Sequence, residues 1–178
     1  MKENNPIIPF LDFKYEVNEL RSEMTEKFVS VYNSGNYVLG QEVKKFEINW
    51  ANYCQSKYCI GVGNGFDALE IGMRSLGIGP NDEVITTPVT AFATILAIIR
   101  TGAIPVFADI DPQTALIDPK SVERCITKRT KGVLLVHIYG RVGHVERLAE
   151  ITSDKNIYLI EDCAQAHGAK KGDVPVGN

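Results

Sequence analysis

Residues 157–169 read IYLIEDCAQAHGA and hold the densest group of chemically useful side chains in the sequence. The apolar run Tyr158, Leu159, Ile160 breaks into Glu161, Asp162, Gln165 and His167, and Gly168 closes it. Two carboxylates, an amide and an imidazole are groups that hold charge, orient a polar ligand or move a proton. The apolar run is short and follows a helical segment, so it reads as a central strand of a parallel sheet with these groups at its carboxyl end. Ligands of open parallel sheets bind there, because strand ends and helix N-termini open into one crevice. The same pattern suits a capped strand-to-helix turn in which Asp162 bonds backbone amides. The segment by itself does not separate the two.

A second group lies in the first strand-to-helix turn, CIGVGNGFDALEIG. Gly61, Gly63 and Gly65 let the backbone approach a ligand, and Asn64 suits either a left-handed conformation or a helix cap. The amides of Gly65, Phe66 and Asp67 then fall at a helix N-terminus, whose unpaired donors and partial positive charge suit a phosphate. A dinucleotide fold would also place a Gly-rich turn here. The spacing stops at G-x-G-x-G, however, and Asp82 and Glu83 precede the next strand instead of ending it. A single phosphate or a purely structural turn fits better. The third group is TTPVTAFAT, where Pro88 ends a strand and brings Thr and Phe residues beside the same crevice. Phe92 there suits either stacking on a flat ring or packing in the core.

The 178 residues, 44% of them hydrophobic, suffice for one domain with a sizeable core to hold these groups. A net charge of −3 with no basic run argues against nucleic acid as a partner. The longest apolar stretch, residues 91–99, is far short of the roughly 20 residues a membrane span needs. The N-terminal MKENNPIIPFLDF has no signal-peptide core, so a cytoplasmic protein is expected. Cys54, Cys59, Cys125 and Cys163 have no metal-type pairing and the histidines complete no site, so free thiols and no bound metal are expected.

Two amphipathic helices lead the chain. Residues 15–32 put Val17, Leu20, Met24, Phe28 and Val31 on one face, and residues 41–53 turn Val43, Phe46, Ile48 and Trp50 partly inward. They form an expected helical arm, 1–56, that reaches another subunit. From Lys57 strands and helices alternate. The patterns predict strands at 58–62, 83–87, 104–108, 132–138 and 157–160, and helices at 66–76, 91–100, 119–127 and 145–155. Five strands joined by four helical crossovers predict an α/β domain, 57–178: a three-layer sandwich with a mostly parallel sheet covered on both faces.

Taken in order, GQEVKKFE, GVGNGFDALEIGMRSLGIGPNDEVITTP, TGAIPVFADIDPQTALIDP, RTKGVLLVHIYG and IEDCAQAHGA resemble the sugar aminotransferases of the DegT/DnrJ/EryC1/StrS family. The resemblance covers residues 8–178. It implies a pyridoxal 5′-phosphate enzyme of the aspartate aminotransferase fold, with this chain an incomplete fold type I large domain. Asp162 then matches the aspartate that pairs with the cofactor's pyridine nitrogen, where an ionised carboxylate keeps the ring protonated and able to accept electrons. Gln165 matches the residue that bonds the ring's phenolic oxygen, and Gly65, Phe66 and Asp67 match the segment that receives the phosphate. His167 lies in the same motif and either orients Asp162 or makes a structural bond. The family usually has Ser or Thr where Phe66 stands. Its ring-stacking aromatic directly follows a Thr or Ser, whereas here Ala91 follows Thr90 and Phe92 comes one place later, about 100° around a helix.

In the family the Schiff-base lysine lies downstream of the segment GDVPVGN, and no lysine here matches it; Lys170 and Lys171 read as solvated turn charges. The chain is therefore expected to be the N-terminal part of a longer protein and not to transaminate alone. For the full-length protein the resemblance implies a homodimer that moves an amino group from an amino acid, usually glutamate, to the ketone of a nucleotide-linked keto-deoxysugar, in the making of a surface polysaccharide or glycosylated metabolite. The runner-up is a sugar dehydratase of the same family, in which a histidine replaces the lysine. A non-catalytic binding or regulatory module is the alternative of another class, and a dinucleotide-dependent oxidoreductase matches poorly.

Overall fold

The computed structural model describes residues 8–178; what the sequence suggests of the first seven, as the start of an arm without a leader, lies outside the described residues. Helix α1 (Lys14–Ser34) ends where Gly35 turns left-handed at φ 65° and donates its N–H to the Tyr32 carbonyl. Helix α2 (Gln41–Tyr53) follows. The chain divides into two compact units inside α2, the first ending at Phe46 and the second running Glu47–Asn178. The second half of α2 has its contacts in the α/β unit: Ala51 is buried, Trp50 lies edge-on to His167 with ring centroids 5.2 Å apart, and Glu47 accepts the Gly61 N–H at 2.8 Å. No residue of α1 is buried, and its apolar face, including Leu20, Met24 and Phe28, is exposed.

The α/β unit holds helix α3 (Gly65–Ser75), strand β1 (Glu83–Thr86), α4 (Phe92–Thr101), β2 (Ile104–Phe107), α5 (Pro119–Cys125), β3 (Thr130–Val136), α6 (Val145–Ser153) and β4 (Tyr158–Asp162). The four strands are parallel in the order β2-β1-β3-β4. Successive strand residues point to opposite faces. Val84 and Leu134 accordingly pack with Met73, Ala97 and Ile98 of α3 and α4, while Ile85, Val133 and Leu135 pack with Val122, Leu148 and Ile151 of α5 and α6. Both faces are covered, which is why Val133 to Val136 are apolar without alternation. Local chemistry sets the helix ends: Asp118 accepts the N–H groups of Lys120 and Ser121, Pro119 opens α5, and Gly102 closes α4 at φ 91°.

One expected strand is absent. Residues 58–62 join no sheet, and Tyr58 and Ile60 are 74% and 80% exposed, so the parallel sheet has four strands and not five. Alternating apolar residues favour extended backbone, but a strand forms only where a neighbour supplies the ladder. After β4 comes a two-residue antiparallel hairpin, β5 (Lys170–Lys171) and β6 (Val174–Pro175), turned at Gly172. Both lysines are exposed, as expected of turn charges, and Lys171 forms an ion pair with Glu146.

Leu135 is fully buried at the centre of the sheet. Leu135→Ala should lower unfolding free energy by about 2–5 kcal/mol in equilibrium denaturation; a loss below about 1 kcal/mol would contradict this core.

Candidate active site

Asp162 is the last residue of β4 and only 9% exposed. Period two along the strand puts it on the same face as Ile160, which packs with the α3/α4 core, while Leu159 packs with the α5/α6 core and Glu161 shares its side. That face brings Asp162 to the first turn of α4. Its Oδ2 accepts the buried Thr94 hydroxyl at 3.0 Å, and its Oδ1 accepts the Ala164 N–H at 3.1 Å. The amide bond is the one expected of a capped turn, so the turn and the functional carboxylate coexist. Thr90 Oγ1 stands 2.8 Å from Thr94 Oγ1. A carboxylate only accepts, so the single Thr94 proton goes to Asp162 and Thr90 donates to Thr94.

A hollow of about 430 Å³ joins the two sequence motifs: Gly65 and Leu69 of α3 line it together with Asp162, Cys163 and His167 at and beyond the β4 tip, and Trp50 of α2. Phe66, Asp67, Phe92 and Gln165 do not line it. A larger open groove, about 770 Å³, runs along α1, but Arg21, Thr25, Val29 and its other walls all belong to that one helix, so it is a helix surface.

At the other end of the hollow, Asn64 caps α3 from an extended conformation. Its Oδ1 accepts the Asp67 N–H at 2.9 Å and its Nδ2 donates to Asp67 Oδ2 at 3.1 Å. Of the three amides expected to meet a phosphate, Asp67's is therefore already committed. Those of Gly65 and Phe66 have no intrahelical acceptor. A Cβ at Gly65 would meet nothing within 4 Å, whereas one at Gly63 would come within 2.7 Å of Asp67 Oδ2, so Gly63 serves the turn and Gly65 leaves open space. The Phe66 ring packs against the α3/α4 core and offers only its backbone outward.

Gln165 Oε1 accepts the Tyr139 N–H at 3.0 Å. A backbone N–H can only donate, so this bond fixes the amide orientation and leaves Nε2 as the free donor. Tyr139 sits in the left-handed region, φ 55° and ψ 26°, in the turn Ile138–Gly140 that follows β3. Of the two readings of His167, orienting Asp162 or a structural contact, the geometry favours the second: its ring stands against Trp50, and Thr94 donates to the carboxylate. Phe92 opens α4 and is 73% exposed, which removes its reading as core.

The sequence placed the threonines of TTPVTAFAT beside the crevice, but nothing in their spacing marked Asp162 as the partner of Thr94, and His137 carried no signal at all. His137 is fully buried; its Nδ1 accepts the Gly143 N–H at 2.9 Å, so Nε2 carries the hydrogen and donates to Glu161 Oε2 at 2.8 Å. The Gly177 N–H also reaches that oxygen, at 3.1 Å. His137, Glu161 and Cys163 bring three donor atoms within 4.8 Å of one another. With the imidazole hydrogen directed at Glu161, this cluster works as a hydrogen-bonded wall. All four cysteines are free. Burial above all, then the Glu161 and Asp162 charges, pushes the half-buried Cys163 thiol up to about 12.

Alkylation of Cys163 at pH 8 should accordingly run at least about 100-fold slower than that of an unstructured cysteine peptide, since the thiolate is the nucleophile. Equal rates would contradict the buried wall. Because the folded-state value lies above the unfolded one, the associated stability is complete below about pH 9 and declines as pH rises towards about 12.

A parallel α/β sheet with an acidic strand tip facing a helix N-terminus is the large-domain plan of fold type I pyridoxal-phosphate aminotransferases. The crystal structure of DesV from S. venezuelae in complex with a ketimine intermediate matches with a TM-score of 0.94 at 41% identity, over 97% of this chain and 47% of that one. The DegT/DnrJ/EryC1/StrS aminotransferase family profile matches residues 18–178, and the chain belongs to that family, whose aminotransferases are pyridoxal-phosphate dependent. Similar relatives include the dTDP-3-amino-3,6-dideoxy-alpha-D-galactopyranose transaminase of Aneurinibacillus thermoaerophilus, 45% identical over 97% of this chain and 47% of its own length. Another is the pleiotropic regulatory protein of Geobacillus stearothermophilus, 44% identical over 96% of this chain and 46% of its own. The chain thus spans about half the length of the relatives it matches.

Proposed function

We propose that the chain forms the pyridoxal-phosphate-holding part of an aminotransferase acting on a nucleotide-linked keto-deoxysugar, with glutamate as amino donor. The observation that carries this reading is the shared hollow, with Asp162 and Gly65 on one cavity in a chain of this family. The residues suit the cofactor: a nearly buried carboxylate whose two donors leave lone pairs free, an amide nitrogen free to donate, and two amides at a helix N-terminus. When bound, the cofactor supplies an aldehyde that carries the amino group and a ring that takes up electrons. Asp162 would hold a proton on the ring nitrogen, Gln165 Nε2 would donate to the phenolic oxygen, and the Gly65 and Phe66 amides would receive the phosphate with support from the α3 dipole. His167 walls the cavity, and Phe92 starts the helix that supplies Thr94.

The dTDP-sugar relative supports the substrate class. No lysine here matches the family's covalent anchor, so the chain alone binds cofactor weakly and does not transaminate. The exposed apolar face of α1 supports a homodimer. Among the described residues no helix is long and apolar enough to cross a membrane. A regulatory role is the second reading, supported by the name of the Geobacillus relative.

Full-length protein mixed with pyridoxal phosphate should turn yellow and transfer nitrogen from glutamate to a dTDP-linked keto sugar. Asp162→Asn should slow that transfer by about 10²–10⁴-fold with the fold intact. A colourless protein would overturn the proposal, an unchanged rate would remove Asp162 from its role, and bound cofactor without turnover would favour the regulatory reading.

A further inference from the structure

We propose that Thr94 is the positioning residue for Asp162, and that Thr90 fixes the direction of its hydroxyl hydrogen. This rests on the reading of Asp162 as the partner of the cofactor's ring nitrogen. A carboxylate on the last residue of a strand can rotate about two side-chain bonds, and only some orientations present a lone pair to a ligand. The Ala164 N–H constrains Oδ1 through the local turn. The second restraint must come from elsewhere in the fold, and Thr94, 68 residues away in sequence and 1% exposed, supplies it at Oδ2.

The hydroxyl is held on both sides. Thr94 lies in the first turn of α4, with its N–H bonded to the Ala91 carbonyl at 3.1 Å, so its backbone is set by the helix. A threonine side chain has few rotamers, and a β-branched residue on a helix loses little further freedom on bonding. Thr90, at 2.8 Å, occupies the Thr94 oxygen as a donor and leaves the Thr94 hydrogen one direction, towards Asp162. In the order Thr90 to Thr94 to Asp162 the last member is the acceptor, at Oδ2. His167, the neighbour in sequence, does none of this; its ring is against Trp50.

The test uses full-length protein and two probes, pyridoxal phosphate and its 1-deaza analogue, in which a C–H replaces the ring nitrogen. Phosphate, aldehyde and phenolic contacts are common to both, so the ratio of their dissociation constants isolates the Asp162 contact from general damage to the fold. Wild type should prefer the nitrogen-bearing cofactor by about 10- to 100-fold, the range of one hydrogen bond to a charged group. Thr94→Val should bring that preference to within about 3-fold, Thr94→Ser should restore it, and Thr90→Val should fall between. A preference untouched in Thr94→Val but lost in Asp162→Asn would overturn the role of Thr94 while leaving the proposed function standing. Wild type without any preference would overturn the assignment of Asp162 itself, and the inference with it. Should Thr94→Val fail to fold, Thr90→Val carries the decision, because Thr90 is half-exposed: an undiminished preference there would overturn the inference.

Discussion

The structure turns on a single nearly buried carboxylate at the end of a parallel strand. Moving a charged group out of water is costly unless donors replace the lost hydration. The fold meets that cost for Asp162 with one donor from its own turn and one from α4. This arrangement requires β4 to lie beside β3 in the observed register and α4 to cover the same face. A one-residue slip of β4 would turn the carboxylate to the opposite face of the sheet.

The β3–β4 pairing is reinforced where it matters. Val136 stands opposite Asp162, and the His137 N–H donates to the Asp162 carbonyl at 3.1 Å. On the other face Glu161 ties His137 to the Gly177 backbone, which fastens the segment after the small hairpin to the strand tip. Adjacent carboxylates on one strand thus have separate tasks. Glu161 accepts both of its bonds at Oε2, whereas Asp162 takes one at each oxygen. The Cys163 thiol, held protonated beside them, adds no third charge to the hollow.

Much of this was legible in the sequence, for identifiable reasons. Helix bounds followed from apolar period, and the alternation of strands and helices announced a parallel sheet covered on both faces. Asp162 and Gly65 stood out because polar or glycine-rich breaks after apolar runs mark strand ends. What was not legible depended on partners. Residues 58–62 alternate as a strand should, but no pattern within them says whether a neighbour is present to pair. His167 lies in the same motif as Asp162, which left an orienting and a structural role equally open; the turn after β4 carries it to Trp50 on α2. The threonines of TTPVTAFAT were placed beside the crevice, but the bond from Thr94 to Asp162 gave no signal, since a hydroxyl recruited across 68 residues has no periodicity to read.

The proposed contact between the Asp162 carboxylate and a protonated heterocyclic nitrogen is read most directly from the ¹⁵N resonance of pyridoxal phosphate labelled at its ring nitrogen and bound to the full-length protein. A pyridinium resonance is expected in wild type and a neutral pyridine resonance in Asp162→Asn at the same pH. A neutral resonance in wild type, or the same resonance in both, would contradict it.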